Sequence, residues 1–103
     1  MLPQLTNTAV VQSSAATLVG LSPATLIIVS KTGVAYGYPL SALKKAFGWS
    51  YAKSSQFFNE MVDGTVSVGK GWSMLKKACE STGKKHRKYT AKESESAILK
   101  KIA

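Results

Sequence analysis

The feature of this sequence that most constrains its fold is the near-absence of charge from its first 41 residues. In that stretch only Lys31 is ionised, whereas from Ala42 onward there are 13 Lys and Arg against five acids. An uncharged segment rich in small and apolar side chains gains by leaving water, so we expect the first part to pack or pair. The basic second part is expected to meet a polyanion.

A chain of 103 residues has room for one compact domain. Hydrophobic residues make up 45% of it, which is enough for a core. A formal charge of +9 and a pI of about 9.9 in so small a domain indicate nucleic acid or an anionic membrane surface as partner. We divide the chain into an extension, residues 1–21, and a binding domain, residues 22–103.

The single cysteine, Cys79, excludes an intrachain disulfide. We interpret it as a small, half-buried apolar residue, with a redox-sensing bridge between chains as the alternative. His86 has no His or Cys partner at ligand spacing, so we predict no metal site and no cofactor. No nucleophile–base pattern, carboxylate pair or Gly-rich phosphate loop occurs. We therefore predict a protein that is not an enzyme and has no small-molecule substrate.

The amino end lacks the positive region of a signal peptide, because the first lysine is Lys31, and we expect a cytoplasmic protein. Residues 9–30 are apolar enough to raise the question of a membrane helix. That stretch is interrupted at Ser22-Pro23 and contains several polar residues, whereas a spanning helix needs about 20 mostly apolar ones. This disfavours a membrane partner.

The expected fold class is mainly α with a small β-hairpin. Residues 8–21 read as a short helix of small residues that could serve in dimerisation. Ser22-Pro23 is a typical helix start, with Ser as N-cap and Pro at the first helical position, and Gly33 ends that second helix. The β-branched run Ile27-Ile28-Val29 leaves a strand open as an alternative for the same segment.

Two further helices are predicted from residues 40–47 and 51–62. Pro39 opens the first and Gly48 closes it, while Asp63-Gly64 ends the second. Two helices joined by a short Gly-containing turn form a helix-turn-helix, whose second helix lies in the DNA major groove.

Beyond this pair we expect a β-hairpin with a basic tip, built from strands at residues 73–79 and 86–90. The pattern Thr90-Ala-Lys-Glu93 is a capping box and predicts a last helix, with Ile98 and Ile102 facing inward. The complete order is that of a winged helix-turn-helix.

The sequence resembles the DNA-binding core of MarR-family transcriptional regulators. PLSALKKAFGWS (residues 39–50) is similar to that family's first helix and turn, and YAKSSQFFNEMVDGTV (residues 51–66) to its recognition helix. KKHRKYTAKE (residues 84–93) resembles the returning strand of the wing, and LSPATLIIV (residues 21–29) the preceding helix. The resemblance implies a winged helix-turn-helix that binds duplex DNA.

The candidate site has two parts. Side chains on the outer face of the third helix can pair with base edges: Ser50, Lys53, Gln56, Asn59 and Glu60. Cationic side chains of the preceding helix and of the wing tip are expected to contact phosphates: Lys44, Lys45, Lys84, Lys85, His86, Arg87 and Lys88. Trp49 and Phe57 could stack on bases, but we favour core packing for both.

These features together predict a sequence-specific binder of double-stranded DNA, a transcriptional regulator that forms a homodimer through residues 8–29. One alternative is an accessory protein in replication, partition or recombination of a mobile element. Another, from a different class, is a basic membrane-associated or virion structural protein.

Overall fold

The computed structural model describes residues 7–11 and 13–89, which form one antiparallel sheet and a layer of helices. The elements in chain order are β1 (Asn7–Val10), β2 (Ala16–Leu21), β3 (Thr25–Ser30), β4 (Ala35–Pro39), α1 (Leu40–Phe47), α2 (Tyr51–Asp63), α3 (Val68–Thr82) and β5 (Arg87–Tyr89). The five strands are ordered β1-β2-β3-β4-β5 across the sheet. All three helices therefore lie between β4 and β5 in sequence, and β5 returns past them to pair with β4.

Strand β3 lies at the centre of the sheet and is buried on both faces. Leu26, Ile27, Ile28 and Val29 are each no more than 2% exposed. Leu26 and Ile28 join the core under the helices, whereas Ile27 and Val29 belong to a second cluster on the opposite face. A strand with two buried faces carries a continuous apolar run instead of alternation, which is the pattern seen here.

The two helices predicted for residues 8–21 and 22–31 are wrong, because both segments lie in strands. Residues 8–21 contain most of β1 and all of β2, paired antiparallel, and the strand alternative for Ile27-Ile28-Val29 is confirmed. Ser22 caps a turn between strands: its Oγ accepts from the backbone N–H of Thr25 at 2.9 Å and of Ala24 at 3.3 Å. A serine can satisfy local backbone donors in a turn as well as at a helix start.

The predicted pair α1 and α2 is confirmed. Gly48 takes a left-handed conformation (φ 71°), and its N–H donates to the carbonyl of Lys44 at 2.8 Å, which ends α1. The hydroxyl of Ser50 accepts from the N–H of Lys53 at 3.3 Å and so caps α2. Helix α2 ends at Asp63, and Gly64 follows in a left-handed conformation, as the Asp-Gly signal predicted.

The strand predicted for residues 73–79 is wrong, because this segment lies inside α3. Ser67 caps the helix by accepting from the N–H of Lys70 at 3.2 Å. The buried positions repeat at helical spacing: Val68, Gly71, Leu75, Ala78 and Cys79. Gly69 and Gly71, near the start of α3, lower the helix propensity of this segment, which is why the sequence favoured an extended strand.

The fold class of winged helix-turn-helix is therefore wrong. Within the described residues, the chain builds four strands before its first helix, and α3 occupies the place expected for the first strand of a wing. The predicted return strand exists as β5, but it extends the sheet beside β4. The predicted last helix, with Ile98 and Ile102, lies outside the described residues.

The helices cover one face of the sheet. Helix α2 packs against β2, while α1 and α3 pack against each other and against β4. The N–H of Leu40 donates to the carbonyl of Ala24 at 2.9 Å, which ties the start of α1 to the β2–β3 turn. The boundary proposed at Leu21 falls between two paired strands of this sheet.

Helices α2 and α3 approach each other closely at Gly71, and we therefore expect a larger side chain there to lower the stability of the protein. A Cβ there would lie 2.5 Å from Sδ of Met61 and 3.1 Å from the ring of Phe57. Gly71→Ala should lower the free energy of unfolding by about 1–2 kcal/mol, because overpacking outweighs the better helix propensity of Ala.

Gly69 provides a matched control in the same helix, since a Cβ there meets no atom within 4 Å. Gly69→Ala should leave the stability unchanged or raise it by up to about 1 kcal/mol. Urea unfolding followed by circular dichroism measures both variants, and equal effects of the two substitutions would contradict the packing described for Gly71.

Candidate nucleic-acid interface

The side chains predicted to read bases lie on α2 as a largely exposed stripe. Ser50, Lys53, Gln56 and Asn59 are exposed, and Glu60 is half-buried. The hydroxyl of Ser50 already caps the helix. The geometry leaves the amide groups of Gln56 and Asn59 accessible to a ligand.

The charge of α2 does not favour phosphate binding by this helix alone. Lys53 is its one cation, against Glu60 and Asp63, and the ammonium of Lys53 lies 5.7 Å from the centre of the Trp49 ring. Trp49 packs against Phe57, which is 3% exposed, so both aromatic side chains serve the core as expected. A binding surface centred on α2 needs cations from elsewhere.

The strongest concentration of cations lies in residues 68–89, which include α3 and β5. This segment has seven Lys and Arg against one acid, Glu80. All seven are exposed: Lys70, Lys76, Lys77, Lys84, Lys85, Arg87 and Lys88. Sequence reasoning missed the three on α3, because it predicted no helix there and assigned a strand to residues 73–79. The helical repeat of Val68, Leu75 and Cys79 was the signal that could have placed them.

Pairing with β4 divides the basic run between the two faces of the sheet. Lys88 lies opposite Tyr36, and Arg87 lies opposite Gly37. Because neighbouring residues of a strand point to opposite faces, Lys88 is on the helix side and Arg87 on the other. Arg87 there lies 5.1 Å from the ring of Tyr89. The predicted wing residues therefore do not form one surface.

The predicted base-reading helix and the predicted basic wing are also not neighbours. Helix α2 packs on β2, and β5 is three strands away in the sheet. At a strand spacing of about 4.8 Å this is a separation of roughly 14 Å. Lys44 and Lys45 are exposed near the end of α1, which packs against α3.

An aromatic cluster lies under the helix-side part of the basic segment. His86 stacks on Tyr38, with 5.4 Å between the ring centres and 26° between the planes. Nε1 of Trp72 donates to the hydroxyl of Tyr38, and Tyr36 lies 5.4 Å from Trp72. The ammonium of Lys76 lies 4.9 Å from the centre of the Trp72 ring.

A cleft of about 290 Å³ opens beside this cluster, between α3 and the start of β5. Its lining residues are Lys76, Cys79, Glu80, Gly83, Lys84 and His86. Two cations and an exposed aromatic ring thus share one concave surface, which we call the α3–β5 cleft.

Two ionisable groups beside this cleft are held neutral by burial. Burial raises the pKa of Tyr38 to about 12, although the hydrogen bond from Trp72 lowers it in part. Burial also raises the pKa of the Cys79 thiol, which is 5% exposed. A thiol that stays protonated is a weak nucleophile, in keeping with a packing role.

A second concave surface lies where β1 meets the end of α2. It has a volume of about 570 Å³, and its lining includes Val10, Val62 and Val66. Val10 is 72% exposed on an edge strand that carries no charge. The homodimer remains a prediction. Within residues 8–29, the segment predicted to form the dimer contact, β1 is the strand that lies at the edge of the sheet.

Among the described residues, no group of three or more His, Cys, Asp or Glu side chains is placed to hold a metal ion. Nor does any helix in these residues have the length and apolar character to cross a membrane. Comparison of the chain with protein families, curated proteins and solved structures finds no match.

Tyr38 makes a prediction about alkaline stability. Its pKa of about 12 in the folded protein exceeds the ordinary value of 10.0, so its contribution to stability is complete below pH 10 and is lost as the pH rises towards 12. Over that range the wild type should lose about 2–3 kcal/mol of its free energy of unfolding through this group, and Tyr38→Phe should not show that loss.

Urea unfolding at a series of alkaline pH values measures this loss. Tyr51→Phe, which removes an exposed hydroxyl, is the control and should keep the wild-type pH dependence. An unchanged pH dependence in Tyr38→Phe would show that the buried hydroxyl does not retain its proton.

Proposed function

We propose that this protein binds double-stranded DNA, with α3 and the segment leading into β5 as the main phosphate-binding surface. The observation that carries the proposal is the exposure of seven cations against one acid in residues 68–89, although one of them, Arg87, lies on the opposite face of the sheet. Neutralising phosphates and releasing their counterions supplies most of the affinity of proteins for DNA.

Helix α2 supports a second contribution, the reading of base edges. The side chains of Gln56 and Asn59 are exposed three residues apart, and amide groups can pair bidentately with adenine. Helix α2 packs on β2, which lies three strands, roughly 14 Å, from β5. Base contacts from α2 would therefore be separate from phosphate contacts at β5. Such a binder suits a transcriptional regulator, whereas phosphate contacts alone would suit an accessory protein in replication or partition.

The proposal predicts two separable classes of variant. Lys76→Ala with Lys77→Ala should weaken binding to every duplex alike and make the salt slope shallower by about one unit per lost phosphate contact. Gln56→Ala or Asn59→Ala should cost about 1–3 kcal/mol on a preferred site and leave other duplexes nearly unaffected. Sequence selection from random duplexes, followed by fluorescence anisotropy at several salt concentrations, measures both effects.

Lys31→Ala is the matched control, because it removes an exposed lysine from the β3–β4 turn, outside the basic segment. It should change the affinity less than either α3 substitution. Absence of duplex binding below about 100 μM at low salt would refute the proposal. Binding to anionic vesicles in its place would favour a membrane-surface protein, and sequence-independent binding would favour the accessory protein.

A further inference from the structure

His86 lies near two tyrosine rings and is still exposed: it stacks on Tyr38, and the ring centre of Tyr36 lies 6.3 Å away with 47° between the planes. Tyr38 is 1% exposed and covers one side of the imidazole, whereas His86 itself is exposed and lines the α3–β5 cleft. The hydrogen bond from Trp72 to the hydroxyl of Tyr38 holds the lower ring in place. A planar group entering the cleft can therefore extend the stack as a third ring.

The cations of the cleft are placed to hold an anion next to that ring. Lys76 and Lys84 both line the cleft, from the helix side and from the loop before β5 respectively. Lys76 is positioned above Trp72, at 4.9 Å from its ring centre. Aromatic faces with flanking cations are the arrangement by which proteins bind unpaired nucleotides, through base stacking and phosphate contacts.

Two other lining residues, Glu80 and Gly83, influence where a phosphate and where a base can lie in the cleft. Glu80 repels phosphate but can accept a hydrogen bond from an amino group on a base edge. Gly83 contributes no side chain to the wall. The volume, about 290 Å³, lies just below the range for small-ligand sites, roughly 300–1,000 Å³. This suits one nucleotide.

We propose that the α3–β5 cleft binds an unpaired nucleotide of DNA, with its base stacked on His86 and its phosphate held by Lys76 and Lys84. The proposal rests on the proposed DNA binding and narrows it to DNA that contains a single-stranded or extruded base. A base inside a duplex is already stacked on both sides and cannot reach the cleft without leaving the helix.

The test compares a labelled single strand with the duplex of the same sequence, by fluorescence anisotropy with the full chain. We expect the wild type to bind the single strand more tightly than the duplex. His86→Ala should weaken single-strand binding by roughly 5- to 150-fold, the equivalent of one lost stacking contact, and should weaken duplex binding by a smaller factor. His86→Tyr, which restores a ring at this position, should recover most of the loss.

Arg87→Ala is the matched control, because the neighbouring side chain lies on the opposite face of the sheet. It should weaken single strand and duplex by similar factors. In a Trp49→Phe background, quenching of the remaining Trp72 by the single strand gives an independent readout at the cleft.

Three outcomes separate the two proposals. Loss of single-strand binding in His86→Ala with recovery in His86→Tyr supports the cleft. Equal binding of both DNA forms, with His86→Ala and Arg87→Ala behaving alike, overturns the cleft but leaves the proposed DNA binding in place. Failure of the wild type to bind either form refutes both.

Discussion

The burial of β3 on both faces is the constraint from which the rest of the structure follows. A strand without access to water needs a partner on each side for its backbone groups, and β2 and β4 provide them. Across β4, Tyr38 lies opposite Leu26 and Tyr36 opposite Ile28. Those two tyrosines in turn support His86 and Trp72. The aromatic cluster is thus built outward from the central strand.

The elements that were predicted correctly are those whose signals are complete within a few residues. Gly48, Ser50 and Asp63-Gly64 each define a helix end locally, and α1 and α2 were found from them. Strands β2 and β3 form by pairing with each other and with β1 and β4, so their hydrogen bonds are not contained within their own residues. Ser22 caps local donors in either type of structure. In α3, Gly71 gives room for Met61 on another helix. Its presence is explained by tertiary packing and not by local preference.

The sequence showed which residues give the candidate site its positive charge, but it did not show where in the fold those residues lie. The basic run from Lys84 to Lys88 is evident in the sequence, yet only the pairing of β5 with β4 shows that Arg87 and Lys88 lie on opposite faces. Trp72 and Tyr38 are 34 residues apart in the chain. No periodicity relates them, so the aromatic side of the cleft could not be inferred before the topology was known.

The placement of β5 after three helices has a consequence for the order in which the molecule assembles. Closing so long a connection costs chain entropy that is recovered only when the final contacts form, so we expect this short edge strand to dock late. On this expectation, one wall of the cleft is complete only once β5 has docked. A ligand that binds there stabilises this state over partly open ones, and its release and the undocking of β5 become linked equilibria. The topology of the sheet would in this way couple occupancy of the proposed site to local unfolding at one edge.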